Sequence, residues 1–406
     1  MARDWPWSDH APVNLPPLAL LLLAAILAAC GTTAPASPTA PEPSATAEPT
    51  DSPSTPAPTV EPTVAPLPTV VFEPATVPAS EPSTAMTAIA RGGDGLVAIG
   101  FDGIFGTTLW TSADGREWRD ATPAGFESVG IAGLVETDDG LVAVGRGDTI
   151  NVDANLAAAY LSEDGLAWRA AAGDDLRGQM IDVIETDDGL FAVGGVPGAD
   201  AAGAWRSTDG GETWERTGED VEGAFFWSIA EGGPGLVISG WRRNPEPDAA
   251  AWLSSDAGDT WTLADDPEAF ELSEGMDVIG TGTDSGLIMT GGSLTGDAAK
   301  IWTSPDGVAW SLADVEGSLA DAMIHDVTAT PIGHLAVGAI GMDAAAWLSI
   351  DDGATWVRFG ELVPDAFFGH AFVTDDGLLL AGATQTGTLE TGIDARAMIW
   401  TATLGE

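Results

Sequence analysis

The sequence predicts an all-β fold: a seven-bladed β-propeller of four-stranded antiparallel blades, preceded by a signal peptide and a disordered linker. Three observations lead to this prediction. An apolar segment that begins with glycine recurs seven times, at a spacing of roughly 45 to 50 residues that suits one blade per repeat. Each copy is followed by a segment that ends in an aromatic residue. Six of these segments lead into a similar acidic turn.

The amino terminus has the pattern of an export signal. Residues 18–29 form an unbroken apolar run that is too short to span a bilayer but suits the core of a signal peptide. The run ends in the sequence LAACG, whose cysteine, Cys30, is the only one in the chain. This sequence resembles a bacterial lipobox, which implies cleavage after residue 29 and attachment of lipid to Cys30. We therefore expect an exported protein that is lipid-anchored to the outer face of the bacterial cell envelope, with the membrane as a partner.

Residues 30–69 are predicted to form a disordered linker after the signal peptide of residues 1–29. Past Cys30 they are mostly Pro, Ala, Thr and Ser, which offer too little apolar surface to offset the entropy of folding. The linker is expected to act as a stalk between the membrane and the propeller, to which we assign residues 70–406.

The glycine-led segments are apolar at consecutive positions, so both faces of each sheet are predicted to be buried. Blades packed side by side around an axis produce this burial. The seven segments begin at Gly95, Gly140, Gly189, Gly235, Gly286, Gly333 and Gly377.

The last repeat ends too early to supply its own fourth strand, because only TATLGE follows Trp400. An apolar segment at residues 70–73 precedes the first repeat. We predict that it pairs with the last blade and closes the ring, which would protect two sheet edges that otherwise invite aggregation.

The predicted third strands end in aromatic residues, namely Trp110, Tyr160, Trp205, Trp252, Trp302, Trp347 and Trp400. Six of them precede turns of the form Ser-x-Asp-x-Gly-x-Thr-Trp or a version one residue shorter. The carboxylates of these turns are Asp114, Asp164, Asp209, Asp256, Asp306 and Asp351. A carboxylate can accept backbone N–H groups within its own turn, glycine can take the left-handed conformation, and the indole can cover the turn.

These turns resemble the Asp boxes of bacterial neuraminidase-repeat (BNR, sialidase-like) propellers, which implies a structural role for the six carboxylates. In repeat type and number, the chain is also similar to the seven-bladed photosystem II assembly-factor propellers. That resemblance implies a binding scaffold, and it assigns no site residues.

Composition excludes several classes of function. The chain has 62 acidic and 14 basic residues and a net charge of −48 at pH 7. Nucleic-acid binding requires a basic surface, so no nucleic-acid partner is expected. One cysteine cannot form an intramolecular disulfide or a thiolate zinc site. We expect a monomer that needs no cofactor, with Ca²⁺ as the only candidate ion, and a fold whose self-repulsion is relieved by salt or calcium.

A first candidate site lies in the central channel, on the rim opposite the acidic turns. Alignment of the innermost strands places one residue of each blade at the same level: Ala88, Gly133, Asp182, Ser228, Asp277, Asp326 and His370. The three acids and His370, with His325 adjacent, can converge on a cation or a polar ligand. Alternatively, these side chains are solvated at the mouth of a water-filled channel and bind no ligand.

A second candidate site lies in blade 4, which carries tryptophans outside the repeat pattern. These are Trp227 and Trp241, and the latter is followed by Arg242 and Arg243. Aromatic rings beside guanidinium groups suit a sugar, a carboxylate or a peptide. Alternatively, Trp241 fills a gap between loops while the arginines are solvated or bonded to nearby Glu246 and Asp248.

The sequence therefore favours a surface-anchored, non-catalytic propeller that binds a protein, a glycan or a cation. The alternative is an extracellular glycoside hydrolase that acts on polysaccharide. A sialidase mechanism is disfavoured, because the Phe/Tyr-Arg-Ile/Leu-Pro motif of those enzymes is absent and the only tyrosine, Tyr160, occupies a structural strand position. An inverting hydrolase needs only two carboxylates about 6.5–9.5 Å apart, which the acidic loops can supply. No catalytic residue is assigned.

Overall fold

The protein is described here by a computed structural model that covers most of the predicted propeller. It describes residues 70–403 apart from residues 81–83, 102–105, 148–155, 173–175, 197–199, 234, 244–246, 265–269, 271–272, 281–285, 294–298, 314–318, 320 and 389–391. The predicted signal peptide, the lipid attachment at Cys30 and the predicted linker lie outside the described residues. Within the described ranges, no helix has the length and apolar character needed to cross a membrane.

The described strands form seven antiparallel sheets of four strands each, so the predicted seven-bladed propeller is confirmed. We number the blades 1 to 7 in the order of their innermost strands. The innermost strands are β2 (Ala85–Gly92), β6 (Gly130–Thr137), β10 (Gln179–Thr186), β14 (Ala224–Gly232), β18 (Ser273–Gly280), β22 (Ala322–Thr330) and β26 (Ala366–Thr374). The second strands are β3 (Gly95–Phe101), β7 (Gly140–Arg146), β11 (Gly189–Val196), β15 (Gly235–Arg243), β19 (Leu287–Ser293), β23 (Gly333–Ile340) and β27 (Gly377–Thr388).

The remaining strands complete each blade towards its outer edge. The third strands are β4 (Thr107–Ser112), β8 (Ala157–Ser162), β12 (Ala201–Ser207), β16 (Pro247–Ser254), β20 (Ala299–Ser304), β24 (Asp343–Ser349) and β28 (Gly392–Ala402). The outer strands are β5 (Trp118–Asp120), β9 (Arg169–Ala170), β13 (Glu215–Glu222), β17 (Thr262–Leu263), β21 (Ser311–Leu312), β25 (Val357–Arg358) and, for blade 7, β1 (Glu73–Pro74). A short 3-10 helix spans Phe126–Ser128.

The second strands lie in the middle of their blades and are buried on both faces, as their consecutive apolar residues predict. Glycine begins six of these strands, because the end of the third strand approaches the backbone closely there. At Gly333, where φ is +136°, a Cβ atom would lie 2.1 Å from the carbonyl oxygen of Ser349. A side chain at this position would therefore force the two strands apart.

Blade 7 is assembled from both ends of the described chain. Strand β1 pairs with β28, with Glu73 opposite Thr401 and Pro74 opposite Trp400. The predicted pairing covered residues 70–73, but the observed ladder begins only at Glu73. Val70 is instead buried in the core between blades 6 and 7, and Phe72 packs edge-on against Phe368, with ring centroids 5.1 Å apart. The preceding residues of the segment therefore contribute mainly through side-chain packing.

The strand order gives the propeller two different rims. The acidic turns join third strands to outer strands and lie on one rim, which we call the turn rim. The connections from second to third strands, and from one blade to the next, lie on the other rim, which we call the mouth rim. Because β1 begins opposite the end of β28, this strand enters blade 7 from the turn-rim side.

Candidate functional site

The six acidic turns share one hydrogen-bond pattern. In each turn the serine hydroxyl donates to the aspartate Oδ1 at 2.8–3.4 Å. The backbone N–H of the glycine donates to the serine Oγ at 2.8–2.9 Å. The aspartates also accept backbone N–H groups farther along the turn, and their pKa values all lie below the ordinary value. In Asp114, for example, hydrogen bonds from the backbone of Arg116 and Glu117 are the main cause.

The indole N–H of the tryptophan that ends each turn donates a hydrogen bond within the turn in five of the six blades that contain this turn. Its Nε1–H donates to the carbonyl oxygen of the turn glycine at 2.9–3.0 Å, in Trp118, Trp168, Trp214, Trp310 and Trp356. Blade 4 differs, because the hydroxyl of Thr217 in blade 3 donates to the carbonyl oxygen of Gly258 at 2.7 Å. The Nε1 of Trp261 is buried without a hydrogen-bond partner. These contacts give the turn residues a structural role.

Every innermost strand carries a β-bulge at the level of the first candidate site. Each strand has one residue without a partner in the second strand, and these residues are Thr87, Ala132, Ile181, Trp227, Met276, His325 and Gly369. The seven residues aligned in the sequence directly follow these bulges. A bulge redirects neighbouring side chains, so this level of the channel is where a blade can bond to the next one.

Asp182 joins blade 3 to blade 4 through one carboxylate oxygen and bonds within its own strand through the other. Its Oδ2 accepts the backbone N–H of Ile229 and the hydroxyl of Ser228, each at 2.9 Å. Its Oδ1 accepts the backbone N–H of Val183 at 2.8 Å. Burial raises the pKa of Asp182 above its ordinary value, against the effect of these hydrogen bonds, and the charge of Asp326 adds to the rise.

Asp326 joins blade 6 to blade 7 in the same way. Its Oδ2 accepts the backbone N–H of Ala371 at 2.7 Å and lies 3.0 Å from Nδ1 of His370. The neighbouring His325 contacts the carbonyl oxygen of Phe368 through Nδ1 at 2.7 Å. Burial lowers the pKa of His325, whereas His370 has a raised pKa: burial opposes its charge, but the nearby carboxylates outweigh burial.

The remaining positions at this level add little polar chemistry to the described site. Ala88 and Gly133 carry no polar side chain. Asp277 follows the bulge of β18, but its side chain lies outside the described part. Among the side chains that the structure describes, no three His, Cys, Asp or Glu residues are grouped so that they could hold a metal ion. The oxygens of Asp182 and Asp326 instead accept hydrogen bonds between blades.

The second candidate site forms an aromatic cluster on the mouth rim of blade 4. Phe225 lies directly opposite Trp241 in the ladder between β14 and β15, with ring centroids 6.3 Å apart and an interplanar angle of 11°. The ring of Trp227 lies 4.6 Å from Phe225. All three rings are partly exposed. Phe225 was not identified from the sequence, although its place two residues before Trp227 in an inner strand was a usable signal.

The two arginines of this site have different surroundings. Arg243 lies with its guanidinium 5.8 Å from the ring of Trp241, and it donates to the carboxylate of Asp200 at 2.6 Å. Asp200 belongs to the rim of blade 3, so this ion pair joins two blades. Arg242 lies opposite Asp248 in the ladder of β15 and β16, while Glu246 lies outside the described residues. Arg243 therefore stands beside the aromatic rings, at the boundary of blades 3 and 4.

No family model matches the chain, and no curated protein matches it. Solved propeller structures are similar to it in fold. One is YCF48 bound to D1 peptide, which is 16% identical with a TM-score of 0.54 over 80% of this chain and 94% of that chain. Another is U3-55K, which is 10% identical with a TM-score of 0.51 over 83% of this chain and 98% of that chain. The RRP9 WD40 repeats are 11% identical with a TM-score of 0.51 over 82% of this chain and all (100%) of that chain. Identities this low establish only the shared fold.

Proposed function

We propose that this protein is a surface-anchored, non-catalytic propeller that binds a protein ligand on its mouth rim. The observation that carries the proposal is the aromatic cluster of blade 4, in which Phe225, Trp227 and Trp241 stand partly exposed beside Arg243. Aromatic and arginine side chains are enriched where protein interfaces concentrate their binding energy. A rim of this composition suits a peptide or a protein segment.

The direction of the chain supports the anchoring part of the proposal. Strand β1 enters blade 7 from the turn-rim side, and the proposal has the linker reach the propeller from the same side. With lipid on Cys30 and residues 30–69 as a flexible stalk, the mouth rim is free to face away from the membrane. The ligand site is then accessible to a partner outside the cell.

Two further observations favour binding over catalysis. YCF48 is a propeller of similar fold, and its structure contains a D1 peptide, so this architecture can serve as a peptide scaffold. The carboxylates of Asp182 and Asp326 accept backbone hydrogen bonds from the next blade, which is a structural use. The proposal includes no cofactor, and calcium is expected to act as a counter-ion of the acidic surface.

The test exposes the detergent-solubilised full chain to an array of tiled peptides and to a glycan array, and then titrates each ligand that binds. Trp241→Ala is expected to weaken peptide binding at least about tenfold, because it removes the ring that faces Arg243. Leu166→Ala is the matched control, since Leu166 is 56% exposed on the opposite rim. The control variant should bind as well as the wild-type protein.

Each contrary result has a defined meaning. Peptide binding that survives both Trp227→Ala and Trp241→Ala contradicts the blade 4 site. Binding to glycans alone replaces the protein ligand with a carbohydrate. Release of product from a panel of chromogenic glycosides overturns the non-catalytic assignment and supports the hydrolase alternative.

A further inference from the structure

The aromatic cluster of blade 4 borders a strand of blade 3 that differs from its counterparts in length. The outer strand β13 (Glu215–Glu222) has eight residues, whereas the other described outer strands have two or three. Only Gly223 separates β13 from β14, the strand that carries Phe225 and Trp227. The end of β13 and the start of the aromatic cluster are therefore neighbours at the boundary of blades 3 and 4.

This end of β13 presents acidic side chains to solvent. Glu219, Asp220 and Glu222 are all exposed. Glu219 and Asp220 lie in a bulge, where the register of the ladder with β12 shifts, and Glu222 pairs with the residue that follows Asp200. We call Asp200, Glu219, Asp220 and Glu222 the acidic edge.

Hydrogen bonds fix the acidic edge to the aromatic cluster. The backbone N–H of Gly223 donates to the carbonyl oxygen of Asp200 at 2.7 Å, and that of Arg243 donates to the carbonyl oxygen of Gly223 at 2.7 Å. The guanidinium of Arg243 donates to the carboxylate of Asp200 at 2.6 Å and lies 5.8 Å from the ring of Trp241. Acids and rings are therefore held in one preorganised arrangement, which lowers the entropic cost of binding.

A glycine of blade 3 makes room for one ring of the cluster. At Gly195 on β11, a Cβ atom would lie 2.6 Å from Cε2 of Phe225. The ring of Phe225 therefore packs directly against the backbone of blade 3, which forms one side of the site. A ligand that covers the exposed parts of Phe225 and Trp241 thereby comes close to the acidic edge.

The charges at this boundary leave an excess of carboxylates. The arginines here each have one acid as a neighbour: Arg243 has Asp200, Arg216 has Asp220, and Arg242 has Asp248. Glu219 and Glu222 take part in none of the ion pairs of the described residues. They give the site a negative charge that no neighbouring arginine offsets, in a chain whose net charge is already −48.

We propose that, within the protein-binding role proposed above and resting on it, the blade 4 site recognises a cationic segment in which Lys or Arg stands close to an apolar residue. The apolar side chain packs on the exposed parts of Phe225 and Trp241. The ammonium or guanidinium group pairs with Glu222 and Glu219. An acidic segment would instead meet these carboxylates, and like charges that face each other across an interface are unfavourable.

The first experiment selects ligands from a random nonapeptide library on the detergent-solubilised full chain at about 50 mM NaCl, with Trp241→Ala as the counter-selection. An acidic protein attracts basic peptides from all sides, so only sequences that prefer the wild-type protein over this variant are counted. We expect these sequences to have a net positive charge and to place Lys or Arg near an aromatic or branched aliphatic residue.

The second experiment titrates the most enriched peptide against charge variants. Glu219→Gln combined with Glu222→Gln should weaken binding about fivefold at about 50 mM NaCl and less than about twofold at about 500 mM, because salt screens the attraction. The same double variant should bind normally to a version of the peptide in which Gln replaces Lys and Arg. The matched control is Glu136→Gln combined with Glu163→Gln, which removes two exposed carboxylates from the turn rim of blade 2 and should bind like the wild-type protein.

Each contrary outcome contradicts a different statement. Neutral or acidic peptides that still require Trp241 would overturn the cationic ligand but leave a peptide-binding rim. An equal loss in the Glu136 and Glu163 variant would also overturn it, because overall charge would then cause the attraction. A library without any sequence that prefers the wild-type protein over Trp241→Ala would contradict the blade 4 site itself.

Discussion

At the scale of single residues, aspartate side chains have a lowered pKa in one part of this fold and a raised pKa in another. The aspartates of the acidic turns and Asp182 in the channel all accept several hydrogen bonds. In the turns these bonds together outweigh the effect of burial and lower the pKa, as in Asp306, which lies close to solvent. In the channel, burial and the charge of Asp326 outweigh similar bonds and raise the pKa of Asp182. Position within the blade therefore decides the chemistry of the residue.

The adjacent acids Asp351 and Asp352 provide a matched test of the turn. Asp351 accepts hydrogen bonds from the hydroxyl of Ser349 and from the backbone and hydroxyl of Thr355, at 2.7–2.9 Å. Asp351→Asn should therefore lower the free energy of unfolding by about 1 kcal/mol, because an amide offers one acceptor oxygen in place of two. The measurement is denaturant unfolding followed by tryptophan fluorescence.

Asp352→Asn is the control for this prediction. Asp352 has φ of +55°, a left-handed conformation that asparagine tolerates well. The variant removes the same charge, so it should leave the stability of the protein unchanged or slightly raised. Equal losses in the two variants would assign the effect to net charge and would contradict the hydrogen-bond role of Asp351.

At the scale of elements, the segment that leads into β1 holds blade 7 mainly by side-chain packing. Its ladder to β28 is two residues long. Val70 is 1% exposed in the core shared with blade 6, and Phe72 lies against Phe368 and Gly360. A Cβ atom at Gly360 would come within 2.6 Å of the Phe72 ring, so the aromatic side chain lies directly against the backbone of blade 6.

Removal of this aromatic contact should weaken the ring. Phe72→Ala is expected to lower the free energy of unfolding by roughly 2 kcal/mol, less than for a fully buried phenylalanine. Val71→Ala is the neighbouring control, because Val71 is 65% exposed and should contribute within about 0.5 kcal/mol. Deletion of the chain up to Pro78 should have a larger effect than either variant. A deletion with an unchanged melting temperature would contradict the role of β1 in closure.

The strands and turns were predictable because each repeat contains the residues that specify its own local structure. The apolar run after Gly235, the aromatic Trp252 and the turn at Asp256 each specify local structure, and their recurrence predicts the number of blades. The contacts between blades were not predictable in this way. The ion pair of Arg243 with Asp200, and the contact between His370 and Asp326, depend on the register of strands that are distant in the sequence. The β-bulge in the innermost strand of each blade was likewise not predicted.

At the scale of the whole molecule, several arginines of this acidic chain lie at boundaries between blades. They pair with acids of a neighbouring blade, as in Arg91 with Asp375, Arg169 with Glu212, Arg206 with Asp259 and Arg243 with Asp200. These pairs are partly exposed, and each is worth between zero and about 1 kcal/mol. They offset little of the repulsion expected from a net charge of −48.

Salt weakens both the attraction within these pairs and the overall repulsion, with opposite effects on stability, so the relative sizes of the two effects decide the result. Screening weakens a few exposed ion pairs, but it also weakens the repulsion among many uncompensated carboxylates, and this repulsion is the stronger of the two. The melting temperature of the full chain should therefore rise between about 10 mM and about 500 mM NaCl. Calorimetry or tryptophan fluorescence gives the measurement.

Calcium distinguishes general screening from a specific site in the same experiment. If both salts act on the acidic surface by screening, CaCl₂ and MgCl₂ at equal ionic strength should stabilise the protein to the same extent. A selective gain with calcium would show a bound ion, because only a site of defined size and geometry separates the two cations. A melting temperature that falls with NaCl would mean that the ion pairs between blades outweigh the repulsion. The view of the arginines as minor contributors to stability would then be wrong.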